Sequence, residues 1–214
     1  MYKTMFLFIV LLCTACAAEH QNFARKNDEI RYINVCVLND AQAPVEKNIL
    51  TDSLRAVARE FRDYAGIQFV FESIIPYQGD LTAWDSDQGM YLAQACLPTA
   101  EIKIVFSNQD IFEGDTAITS DDNQNRELGG SSNSVWGYVL VYSSEHRYKM
   151  RSSSDEPALM TVLRHDLAHL FHIDHSDNTN SFMFPIRSQS FGQWTGDTMD
   201  SILKHKNTRW HRMK

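Results

Sequence analysis

The chain has 214 residues, 43% of them hydrophobic and 11% aromatic, which suits one globular domain with a real core. Its formal net charge of −7 argues against nucleic acid as a partner. It contains no internal repeat, no P-loop and no G-x-S-x-G, and beyond residue 18 no C-x-x-C, so the common phosphate-binding, serine-hydrolase and dithiol chemistries have no foothold in the domain.

Residues 1–18 read as a secretory signal peptide: Lys3, an apolar run at 5–12 too short to span a bilayer, then small residues. Two processing routes stay open. Ala15-Cys16-Ala17 is an A-x-A cleavage site that releases a soluble protein. Residues 12–16 (LCTAC) resemble a bacterial lipobox, with Cys16 lipidated and serving as a membrane tether. Either route exports the protein, to the periplasm or outer membrane as a lipoprotein or to the medium. Residues 19–29 are polar and read as a flexible leader, and 30–214 as the domain. In that compartment Cys36 and Cys96 are an even pair suited to a disulfide, against the plainer reading of two buried thiols.

Residues 30–38 (IRYINVCVL) are β-branched and aromatic and predict a first strand. Residues 45–64 carry Ile49, Leu50, Leu54, Val57, Ala58 and Phe61 at helical period, with Pro44 before and Gly66 as a stop. Residues 67–75 (IQFVFESII) predict a second strand, and strand–helix–strand implies a crossover with parallel pairing. Residues 76–99 are irregular. Residues 101–106 (EIKIVF) predict a third strand and 115–119 a short fourth. Residues 120–134 are polar, contain Gly129-Gly130, and read as a loop at the rim of a cleft. Residues 135–142 (VWGYVLVY) predict a strand. Which of the last two strands forms an edge able to receive an extended peptide is open. Residues 152–155 supply N-cap candidates and Pro157 a first-turn proline for the next helix. Residues 196–205 predict a final helix, followed by a basic tail.

Residues 164–185 (RHDLAHLFHIDHSDNTNSFMFP) hold the candidate chemistry. On a helix turning about 100° per residue, His165 and His169 share a face and can offer neutral imidazoles to one metal ion. The same stripe carries His172 and Val162, opposite Leu159, Met160, Leu163, Leu167, Leu170 and Phe171. A continuing helix makes His172 the third ligand; a sharp turn after about residue 172 makes it His175.

The pattern resembles the metzincin zinc peptidases, whose signature is H-E-x-x-H-x-x-G-x-x-H followed by a methionine turn. His165, His169 and His175 match the ligand positions, Ser176 is similar to the matrixin branch, and residues 181–185 (SFMFP) look like the turn, with Met183 under the metal. The resemblance implies an α+β, metzincin-like fold. Its sheet is mixed, mostly parallel and twisted, with a long N-terminal helix, an active-site helix and a small C-terminal subdomain after the third ligand. It implies one catalytic Zn2+ and a monomeric zinc metalloendopeptidase acting on protein or peptide substrates. It also suggests a substrate pocket lined by Phe182, Phe184 and Phe191, and it allows calcium on Asp80, Asp85 and Asp87, against solvated loop acids. Two departures stand out: Asp166 replaces the general-base Glu with a shorter carboxylate, and His172 replaces the Gly that turns through positive φ. The short acid leaves a second reading open, a zinc-binding pseudopeptidase acting as a non-catalytic surface or periplasmic lipoprotein.

Overall fold

The structure is a computed structural model that describes residues 29–79, 92, 94–108, 128–143, 158–184 and 192–210. The signal peptide, Cys16, Asp80, Asp85, Asp87, the strand expected at 115–119, the N-cap candidates, Pro185 and Phe191 lie outside them.

Five strands and three helices follow in chain order: β1 (Arg31–Asp40), α1 (Lys47–Ala65), β2 (Ile67–Tyr77), β3 (Ile102–Ser107), β4 (Leu128–Asn133), β5 (Tyr138–Ser143), α2 (Ala158–His169) and α3 (Gly196–His205). They form one sheet in the order β2-β1-β3-β5-β4. Every neighbouring pair is parallel except β4 with β5, which is antiparallel. Parallel central strands are buried on both faces, which is why β1 and β3 read as nearly continuous apolar runs.

Side chains alternate between those faces. Val35 and Val37, Ile104 and Phe106, and Val139 and Val141 join α1 and α2 in the larger core. Cys36 and Leu38, Val105, and Tyr138 and Leu140 face a smaller cluster with Leu92 and Cys96. Cys36 and Cys96 are disulfide-bonded, which ties the segment after β2 onto this second face. Gly66 ends α1 in the left-handed conformation at φ 62°, its N–H donating back to Arg62 O, so a residue without Cβ stands where one is needed. Among the described residues no helix is long and apolar enough to cross a membrane.

Two expectations need correction. Residues 128–133, read as part of a polar loop, are the outer strand β4, paired along its whole length with β5. Val135 and Trp136, read as strand, lie in the turn joining β4 to β5. There Asn133 Oδ1 accepts both of their backbone N–H groups, at 3.0 and 3.1 Å. An Asn side chain able to imitate the backbone closes the hairpin before the apolar run can extend it.

Candidate active site

Helix α2 lies against β4, β5 and α1. Regular helix ends at His169. The last turn tightens through bonds from Leu170 N to Leu167 O, Phe171 N to Ala168 O and His172 N to His169 O. His172 then takes φ 57°, the one non-glycine at positive φ among the described residues, and the chain reverses. This is the turn expected at the family's glycine. His172 itself is exposed, its ring 5.7 Å from that of His205, so the alternative ligand set containing it is not assembled.

The reversal carries His175 back over the helix. The ligand nitrogens of His165, His169 and His175 all lie within 4.8 Å of one another. Nε2 of His165 is 3.0 Å from Nε2 of His169 and 3.2 Å from Nε2 of His175. Burial decreases outward, from buried His165 through half-buried His169 to exposed His175. Such a gradient is that of a cleft open on one side.

The opposite ring nitrogens fix the chemistry of this donor set. His165 Nδ1 is 2.8 Å from Phe182 O, and His169 Nδ1 is 2.6 Å from Ile173 O. A carbonyl oxygen only accepts, so each Nδ1 carries a proton, and in the neutral ring each Nε2 then presents a lone pair. Two lone pairs 3.0 Å apart do not form a hydrogen bond; they repel unless a cation lies between them. Tetrahedral zinc with Zn–N distances of about 2.0–2.1 Å separates its ligand nitrogens by roughly 3.4 Å. Spacing, tautomer and the carbonyls of Phe182 and Ile173 behind the rings therefore all fit zinc.

The returning chain closes into a hydrogen-bonded turn. Ser176 N–H donates to Met183 O (2.9 Å), Met183 N–H to Ser181 Oγ (3.1 Å) and Phe184 N–H to Ser181 O (3.0 Å). Met183 is fully buried. Gln193 braces the turn from outside, its N–H on Asn180 O and its carbonyl on Phe182 N–H. Phe182, expected in a substrate pocket, is instead a core side chain: it is 3% exposed and packed 4.9 Å from the Trp194 ring, because its carbonyl must face His165. Phe184 is half-buried.

Asp166, directly after His165, is 2% exposed. Its carboxylate lies against the backbone of Gly130 on β4, where an added Cβ would overlap Asp166 Oδ2 and stand 2.7 Å from Asp166 Cγ. Val162, four residues earlier, faces the same glycine, its Cγ1 at 3.0 Å from such a Cβ. The acid therefore occupies the seam between the ligand helix and the outer strand. The sequence shows Gly130 only as half of a Gly-Gly pair in a polar stretch, and nothing local ties that pair to Asp166.

The family model described as Matrixin matches residues 62–201, about two thirds of the chain and the whole histidine stretch. No curated protein is significantly similar in sequence. Among solved structures, the archaemetzincin of Methanopyrus kandleri matches with a TM-score of 0.53 and 14% identity, over 82% of this chain and 96% of that one. At that identity the likeness is one of fold. The archaemetzincin of Archaeoglobus fulgidus, solved with malonate, matches at 0.48 and 12%, over 80% and 99% of the two chains. A zinc-dependent peptidase of Methanocorpusculum labreanum matches at 0.44 and 13%, over 78% and 92%.

Proposed function

The chain belongs to the matrixin family of zinc metallopeptidases and has a metzincin-like α+β fold; from that premise we propose that it is an exported endopeptidase. In this reading His165, His169 and His175 hold one zinc ion through Nε2, and Asp166 is the general base. The observation that carries it is the convergence of three ring nitrogens, two of them with tautomers set by backbone carbonyls.

Zinc held there supplies a Lewis acid that acidifies water and polarises a carbonyl oxygen. Asp166 takes a proton from the attacking water on its carboxylate and returns it to the departing amine nitrogen. Its side chain is one methylene shorter than Glu, and its contact with Gly130 brings helix and strand close together around it. The substrate lies extended along β4, the outer strand beside α2, adding main-chain hydrogen bonds in the manner of an extra strand. Met183 is fully buried in the turn whose Phe182 carbonyl faces His165, and in this reading it anchors that turn. Export is supported by the Cys36–Cys96 disulfide, a bond that persists in oxidising compartments, and Cys16 remains the candidate membrane anchor.

Metal analysis and cleavage of an unfolded protein test this, with wild type beside His169→Ala and Asp166→Glu. One zinc per chain with cleavage is expected for wild type, and neither for His169→Ala. Zinc bound without any cleavage, gained on Asp166→Glu, would make the native chain a zinc-binding pseudopeptidase whose acid lacks reach. Absence of zinc would overturn the reading.

A further inference from the structure

An ion pair between α1 and α2 connects to the histidine cluster through a short chain of contacts. Glu60 Oε2, on α1, accepts from Arg164 Nη1 at 3.0 Å and from Trp194 Nε1 at 2.8 Å. Arg164 Nη2 donates to Gly192 O at 3.1 Å. The guanidinium lies over the Phe182 ring, 5.2 Å from its centroid, and Trp194 packs against the same ring at 4.9 Å. The carbonyl of Phe182 then accepts the His165 Nδ1 proton at 2.8 Å. Glu60 and Arg164 are 104 residues apart, and their side chains are 23% and 5% exposed.

Burying such a pair is costly, and an apolar pair of similar volume would hold α1 to α2 at least as well. What apolar side chains lack is direction. The guanidinium is a planar fork whose two nitrogens here bind two different segments, α1 and the stretch after the methionine turn. Arg164 also immediately precedes His165. The fork therefore fixes, from one point on the helix, both the ligand's neighbour and the carbonyl that orients the ligand.

We propose that Glu60 and Arg164 are positioning residues for His165, setting the zinc affinity of the site by fixing the Phe182 carbonyl. This rests on reading the three histidines as a zinc site. Neither residue touches the reacting atoms. Losing an outer partner of a ligating histidine weakens metal binding by about 10–100-fold. Glu60→Gln keeps an acceptor for Trp194 but removes the charge; Arg164→Lys keeps the charge but cannot serve Glu60 and Gly192 O together.

The test is zinc affinity of the full chain by competition with a fluorescent chelator, with the melting temperature read in parallel. Glu101→Gln serves as control, since it breaks a comparable pair with Arg31 (3.4 Å) away from the histidines. Glu60→Gln and Arg164→Lys are expected to weaken zinc binding tenfold or more, with cleavage restored by excess zinc. Glu101→Gln is expected to move only the melting temperature. Affinities within twofold of wild type in both variants would overturn the proposal, whatever happens to melting. If wild type binds no zinc, the metal reading falls by itself, and the clamp is judged by NMR on the His165 Nδ1 proton. A slowly exchanging proton in wild type, lost in Glu60→Gln, supports the clamp; its persistence in the variant overturns it.

Discussion

Adding one methyl group to Gly130 tests whether the seam between β4 and α2 governs the chemistry. The glycine is not in the left-handed region, so alanine meets no backbone strain there. In an ordinary strand the exchange would stabilise the fold by roughly 0.5–1 kcal/mol. Here the new Cβ would overlap Asp166 Oδ2 and stand 2.7 Å from Asp166 Cγ and 3.0 Å from Val162 Cγ1. Non-bonded heavy atoms rest at about 3.5–4.0 Å, so the carboxyl group must move by about 1 Å or more, its near oxygen by roughly 2 Å. Overpacking of this kind costs about 1–3 kcal/mol, which outweighs the entropic gain and makes the net sign destabilising. The rate is more sensitive still, because a misplacement of about 1 Å costs on the order of 100-fold. Gly130→Ala is expected to lower kcat on an unfolded protein about 100-fold, with zinc content unchanged, since the nearest atoms the new methyl meets belong to Asp166 and Val162 and not to the histidines. A kcat within threefold of wild type, at full zinc, would refute the idea that the strand holds the acid in place.

The remaining predictions concern the metal, the disulfide and the turn. His169→Ala removes one of three ligands and should lose stoichiometric zinc at micromolar metal, measured on the dialysed protein; retention of one tightly held zinc would refute its role. Cys36→Ser opens a link spanning 60 residues and should cost about 4 kcal/mol on the loop-entropy scale, read as the difference in denaturant midpoint from the oxidised wild type. His172→Gly should stabilise the fold by up to about 1 kcal/mol, because the turn at φ 57° costs a side chain something that glycine escapes; a lower melting temperature would show that the ring contact with His205 matters more.

The elements with strong period were legible in the chain. Helix α1 shows its apolar stripe and its glycine stop, α3 its full extent, and β1, β2 and β3 their β-branched runs. The His165–His169 spacing was legible too, because a four-residue interval is a local feature; the reversal at His172 came from the family resemblance, since periodicity alone left a continuing helix open. The Glu60–Arg164 pair was not, since two residues 104 apart announce nothing to each other until the sheet is built. Phe182 misled for a related reason: an aromatic beside a methionine turn says nothing about which way its carbonyl must face, and it is the carbonyl that the site uses.

Strand β4 is the more instructive miss. Its sequence, LGGSSN, has almost nothing that favours a strand, and glycine in such a position weakens pairing. Yet its backbone pairs with β5 over six residues, and the apolar partner strand supplies the propensity that β4 lacks. The reason lies across the cleft. A buried carboxylate needs room beside the ligand helix, and only a residue without Cβ leaves that room on the strand facing it. The local rule is broken where Asp166 requires it, as expected of a segment shaped by a site rather than by its own stability. The short acid and the bare strand are therefore one feature: lengthening Asp166 to Glu without freeing more space at Gly130 should crowd the same seam. Any gain in reach from that exchange then has to be measured against the stability it removes.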